Sequence, residues 1–261
     1  MLGDIFRCRR LVARLAVNEF RGRYAGSVLG AIWSVVQPLT MIVMYTVIFA
    51  VVLKVKVGAK GSVTEFGLFL ICGMIPFNSV AEAIRRSAGV YLEQAHMMRR
   101  IPMPPVVLPA SRVLTSLFEL AIVLALFICL LLVTGHPPGM LAPALLVVLP
   151  LQIALALGLA AVISSLTVMV RDIAALTESV LTIWFLATPV IYPRSLLPGL
   201  LREIIDANPM TVLVESYRAL LLHDALPRWG DLLYLALVAG FCLLAGRWVY
   251  RETRAVIIDH V

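Results

Sequence analysis

Two carboxylates in this sequence stand where ionised groups are costly. Glu119 lies near the middle of the apolar run 108–134, and Glu178 lies within the apolar run 173–192. A charge at the centre of a bilayer costs about 3 kcal/mol on insertion scales, so each acid is expected to face protein or water. A carboxylate so placed can carry a proton, or it can close a hydrogen bond between helices or subunits. Arg112 precedes Glu119 by seven residues on one helical face, which makes a contact between the two conceivable. The interhelical bond is the more economical reading, because each acid lacks the chain of titratable partners that a relay needs.

A second group stands before the first apolar run: Arg21, Arg23 and Tyr24, followed by Gly26, Gly30 and Trp33. Paired guanidinium groups suit a pyrophosphate, and Tyr and Trp rings suit sugar faces. Such residues could receive a substrate headgroup, although anchoring in the headgroup belt selects the same types. Other chemistry is missing. The sequence has no GxxxxGK(S/T), HExxH or assembled Ser/His/Asp set, so it is not expected to hold ATP phosphates or to be an enzyme. His96, His136, His223 and His260 are dispersed and suggest no metal site. Cys8, Cys72, Cys129 and Cys242 read as small hydrophobes with free thiols.

These residues must be positioned by elements suited to lipid. The chain is 61% hydrophobic and only 14% charged, with a mean hydropathy of +0.98. A soluble domain of this length has no interior able to hide so much apolar surface. The net charge of +7 does not indicate nucleic acid, because the arginines fall at the ends of apolar runs. A cleaved signal peptide is not expected either, since the first run is too long and no A-x-A-like site ends it.

Six spans are predicted, at 28–53, 66–87, 108–134, 141–170, 173–192 and 231–250. Pro143 and Pro150 predict a bent or partly interfacial start to the fourth. One side collects Arg7, Arg9, Arg10, Arg14, Arg21 and Arg23, then Arg85, Arg86, Arg99, Arg100 and Arg112, then Arg171, Arg247, Arg251 and Arg254. The other keeps Lys54, Lys56, Lys60, Arg194, Arg202, Arg218 and Arg228. The positive-inside rule therefore puts both termini, including the tail 251–261, in the cytoplasm.

Residues 1–25 read as an amphipathic helix in the membrane interface. Arg7, Arg10, Arg14, Asn18 and Arg21 form a polar stripe, while Ile5, Cys8, Leu11, Val12 and Leu15 are expected to face acyl chains. In the second cytoplasmic connection, residues 91–100 can form short helical turns that Pro102, Pro104 and Pro105 would stop. Glu93, Gln94, Arg99 and Arg100 would then make either a docking knob for a soluble partner or a solvated turn. The external segment 193–228 is too apolar for a plain loop and too short to span. A re-entrant helical hairpin is predicted, with Met210, Leu213, Val214, Tyr217, Leu220 and Leu221 at helical spacing.

Four stretches resemble, in order, permeases of the type 2 ABC exporter group. "RYAGSVLGAIWSVVQPL" is similar to the signature that opens them, and "GMIPFNSVAEAIRRS" to a stretch in their second span. "MMRRIPMPPVVLPASRVL" resembles their basic-then-proline coupling helix, and "NPMTVLVESYRALLL" their external N-P-(L/M)-T segment. Size and motifs are closest to exporters of O-antigen, capsular polysaccharide or teichoic acid. The resemblance implies an all-α integral membrane protein of the bacterial inner membrane, with six transmembrane helices. It further implies a homodimer with two copies of a separate P-loop ATPase. The ATPase would bind ATP and Mg, so this chain needs no cofactor of its own.

In that picture a lipid-linked glycan enters from the cytoplasmic leaflet beside Arg21, Arg23, Tyr24 and Trp33. The segment Tyr91 to Arg100 couples the ATPase, and a hairpin carrying Asn208, Glu215, Tyr217 and Arg218 gates the external mouth. Membrane lipids and periplasmic export proteins complete the expected partners. The alternatives are an exporter of the same architecture moving a drug or small lipid, and a proton-coupled secondary transporter using Glu119. The second would need internal repeats, which the sequence does not display.

Overall fold

Helices form every regular element among the described residues of the computed structural model, which are 1–24, 63–196 and 198–260 with Val36, Thr40, Val43, Met44, Val47 and Ile48. The predicted first span, Trp33 included, falls outside them apart from those six positions. Eleven α-helices have bounds among the described residues: α1 (Leu2–Arg7), α2 (Arg9–Tyr24), α3 (Val63–Ala88), α4 (Val90–Glu93), α5 (Ala95–Arg100) and α6 (Val107–Val133). The rest are α7 (Leu145–Met169), α8 (Asp172–Leu186), α9 (Gly199–Asp206), α10 (Pro209–Leu222) and α11 (Trp229–His260). Among the described residues, α3, α6, α7 with its preceding 3-10 turn, and α11 are long and apolar enough to cross a membrane.

The central element is α3, buried along most of its length between α6, α7, α8 and α10. Pro76 lies inside it, as transmembrane helices tolerate when neighbours cover the gap. Phe77 packs edge-on against Phe185 and Trp184 of α8, with ring centroids 5.2 and 6.3 Å away. The longest seam is between α7 and α11, and two glycines permit it. A Cβ on Gly158 would lie 2.5 Å from the backbone carbon of Cys242, and one on Gly246 would lie 2.7 Å from the Gly158 carbonyl oxygen. Small residues at such crossings let helix backbones approach where lipid supplies no hydrophobic drive.

Three features differ from expectation. The fifth predicted run does not stay helical to 192. α8 stops at Leu186 because Pro189 cannot donate to the helical ladder and disfavours the α conformation just before it. The apolar side of α2 is covered in part by protein: Val12 and Ala16 are buried, Ile5, Cys8, Leu11 and Leu15 are half-buried, and the helix lies along α6. Its predicted polar stripe, Arg7, Arg10, Arg14, Asn18 and Arg21, is exposed. Finally, α11 continues well past residue 250. Its 32 residues extend about 48 Å at 1.5 Å each, beyond a hydrocarbon core of about 30 Å.

Candidate functional site

The predicted site residues that are described fall into two regions at opposite ends of the bundle. Near the end that carries α2, α4 and α5, five helices contribute to a network of carboxylates and guanidinium groups. Glu82 and Arg86 come from α3, Glu119 and Arg112 from α6, and Glu19 and Arg23 from α2. Arg85 of α3 joins Glu178 of α8, and Glu93 of α4 closes the edge.

Glu82 accepts from Arg23 at 2.7 Å, from Arg86 Nε at 2.7 Å and from Arg85 at 2.5 Å. Glu119 Oε1 accepts from Arg23 and, at 2.9 Å, from Arg86. Glu19 accepts from Arg112 at 2.5 Å, from Arg86 at 3.3 Å and from the Thr115 hydroxyl at 3.2 Å. Arg85 Nε spans both Glu178 oxygens at 2.8 and 3.0 Å. Arg112 also reaches Glu93 at 3.2 Å.

Glu119 therefore bridges helices, and its partners are Arg23 and Arg86. The contact between Arg112 and Glu119 expected from their shared helical face does not form. Arg112 turns instead to Glu19 and Glu93, because α2 packs against that part of α6 and brings a nearer carboxylate. Burial works against the Arg23 charge, but Glu119 and Glu82 more than offset it, so its pKa lies above the ordinary guanidinium value. Of the predicted headgroup pair, both Arg21 and Arg23 are exposed, but Arg23 is engaged by carboxylates. Glu19, Glu82, Arg85 and Arg86 were not singled out by sequence. The available signal was Glu82 three and four residues before two arginines, and Glu19 four before Arg23.

Residues 91–100, expected to couple the ATPase, fall on two short helices, α4 and α5. Glu93, Arg99 and Arg100 are exposed, and Gln94 joins the two turns. Tyr91 is 1% exposed, so it cannot touch a partner directly. Burial pushes its phenol well above the usual tyrosine range.

The opposite end is organised by Arg218, which is 1% exposed. Its guanidinium donates to the Pro189 and Val190 carbonyls at 2.7 Å each and to the Phe69 carbonyl at 3.3 Å. It pairs with Glu215 at 2.7 Å and stacks 3.5 Å from the Phe69 ring centroid. The space it fills exists because residue 73 is glycine; a Cβ there would lie 2.5 Å from Arg218 Nη2.

Sequence placed Arg218 on the external side of the membrane, in the gate. The structure folds it inward, because the non-helical turn after α8 leaves carbonyls that need donors. Asn208 serves the same turn. Its Oδ1 accepts from Trp184 Nε1 at 2.9 Å and from the Met210 N–H at 3.0 Å, capping α10. Its amide donates to the Thr188 hydroxyl at 3.0 Å and the Ala187 carbonyl at 3.2 Å. Tyr217 donates to Gln152 of α7 at 2.6 Å. Asn208, Glu215, Tyr217 and Arg218 are thus brought together as a clamp on α3, α7 and α8.

Among the described residues, no cluster of His, Cys, Asp or Glu could hold a metal ion. The sequence matches the family described as ABC-2 type transporter over residues 10–222. It is 28% identical over 263 residues to the O-antigen export system permease protein RfbA of Myxococcus xanthus, covering 100% of this chain and 99% of that one. A Klebsiella pneumoniae protein of the same name is 25% identical over 238 residues, 89% of this chain and 87% of its own length.

Proposed function

The chain belongs to the ABC-2 type transporter family, and from that premise we propose that it is the permease subunit of an ATP-driven polysaccharide exporter. The observation that carries the substrate class is the end-to-end similarity to an O-antigen export permease. The cargo is a lipid-linked polysaccharide taken from the cytoplasmic leaflet. A separate ATPase, in two copies on a homodimer of this chain, supplies the energy through α4 and α5.

Six spans complete the subunit, with both termini cytoplasmic. Support for a re-entrant hairpin comes from the α9–α10 corner, where the Ala207 carbonyl accepts from the Tyr234 hydroxyl. Tyr234 is about one and a half turns inside α11, so the corner dips below the start of that span. The predicted cytoplasmic end carries the exposed arginines of α2, suited to phosphate headgroups. A proton-carrier role for Glu119 fits poorly, because its two partners, Arg23 and Arg86, tie it into an ion-pair network between helices.

The test is complementation. In a bacterium lacking its own O-antigen permease, this chain expressed with its cognate ATPase restores surface polysaccharide, and neither alone does. Restoration without an ATPase, or ATP-dependent drug efflux with no surface glycan, contradicts the proposal.

A further inference from the structure

Beneath the coupling segment lies a second apolar cluster, separate from the main core. It joins Val90 and Tyr91 of α4, Val106 and Leu108 at the start of α6, Val168 at the end of α7, and Tyr250 and Ile257 of α11. The last two belong to the part of α11 that extends past the predicted span. Tyr250, Thr253 and Ile257 recur at helical spacing and are 3%, 4% and 0% exposed. Arg251, Glu252, Arg254 and Ala255 occupy the opposite, exposed face. A solvated tail has no reason to keep an amphipathic helix with a wholly buried isoleucine.

The seam is apolar with loosely paired hydroxyls. Tyr91 interacts with Ser164 and Ser165 of α7 and with Tyr250. Yet the hydroxyls of Tyr91, Ser165 and Tyr250 make no well-formed hydrogen bond among the described residues. Apolar contact is non-directional, so the register of α4 here is set by packing more than by fixed hydrogen bonds. Removing one wall of the cluster would leave α4 under-determined while α3 and α6 remain intact.

We propose that the end of α11 positions the coupling segment, with Tyr250 and Ile257 as positioning residues that act through Tyr91. They hold the exposed edge of Glu93, Arg99 and Arg100 at the angle that transmits the ATPase stroke to the spans. The inference rests on the reading of residues 91–100 as the ATPase contact.

The test uses the full chain with its cognate ATPase in proteoliposomes and an undecaprenyl-diphosphate-linked polysaccharide as probe. Three quantities are read: ATPase retained on the permease, ATP hydrolysed, and polysaccharide moved per ATP. Ile257→Asp retains the ATPase and hydrolyses ATP, but polysaccharide moved per ATP falls about tenfold, the scale of one lost buried aliphatic side chain. Ile257→Leu returns the ratio to within about twofold, since volume-conserving apolar swaps are tolerated.

An unchanged ratio in Ile257→Asp overturns the inference. So does equal loss in the Asp and Leu variants, which marks Ile257 as needed only for folding. A double variant, Arg99→Glu with Arg100→Glu, loses the ATPase if the underlying reading holds. Full retention there overturns that reading and the inference with it. Wild-type proteoliposomes that move no polysaccharide contradict the proposed function instead.

Discussion

The two ends of this bundle hold their charges in opposite ways. At the end bearing α2, arginines meet carboxylates, and most groups have two or three partners on different helices. At the other end one arginine meets mainly backbone, and the carbonyls it satisfies belong to a turn and to α3. A network of side chains can trade partners as helices shift, because each lost pair leaves another nearby. A guanidinium buried on main-chain carbonyls cannot do so without stranding them. The difference assigns adaptability to the α2 end and rigidity to the Arg218 clamp. Of α9 and α10 it makes α10 the fixed element, while α9 leaves Leu200, Leu201 and Ile204 exposed and is held through Asp206 by Arg194.

The largest expected effect is at the clamp. Arg218→Met strands the Phe69, Pro189 and Val190 carbonyls and lowers stability by about 3–5 kcal/mol, at about 1–3 kcal/mol for each buried acceptor left unsatisfied. Thermal unfolding in detergent measures it. Arg218→Lys does not rescue, since an ammonium lacks the planar fork that reaches several carbonyls at once. Loss below about 1 kcal/mol would erase the contrast between the two ends.

Next in size is Gly73→Ala, whose methyl would occupy the guanidinium's space. A loss of about 1–3 kcal/mol is expected from overpacking. Combining it with Arg218→Met should cost less than the sum of the two, because both act on one cavity. Strict additivity would show that Gly73 matters for another reason.

At the network, Glu119→Gln is predicted to be milder, about 1–2 kcal/mol at most. Arg86 keeps Glu82 and Glu19, and Arg23 keeps Glu82. ATP-dependent export should persist in this variant. Complete loss of export with unchanged stability would reinstate a proton carrier at Glu119.

The smallest effect belongs to Glu93→Gln, which removes only the exposed pair with Arg112. Less than about 1 kcal/mol is expected. A double-mutant cycle with Arg112→Gln would read a coupling near the limit of measurement.

Much of the helical frame was legible because apolar length is a local property of sequence. Runs such as 108–134 and 231–250 mark helices, and Pro102, Pro104 and Pro105 mark where the short helical turns of 91–100 stop. The exposed stripe of α2 was legible for the same reason. What its other face touches was not, since an apolar helix face looks alike against lipid or against α6. Pairings were less legible still. Glu119 finds Arg23 across 96 residues, and no spacing rule reaches that far.

The burial of Arg218 was not legible, because counting positive charges assigns sides of a membrane and cannot tell an exposed arginine from one turned inward on carbonyls. The donors needed by the turn after α8 become apparent only once Pro189 is seen to end that helix. The burial of Tyr91 was not legible, since four residues of helix carry too little pattern to identify a buried face.

The central claim is that this chain is the membrane path of an ATP-powered polysaccharide exporter. Its most direct test is translocation in sealed proteoliposomes containing the chain, its ATPase and an undecaprenyl-diphosphate-linked polysaccharide. The account predicts that polysaccharide becomes protected inside the vesicles only when both subunits and hydrolysable ATP are present. Protection driven by a proton gradient without the ATPase, or none when both subunits hydrolyse ATP and a drug is moved instead, would contradict it.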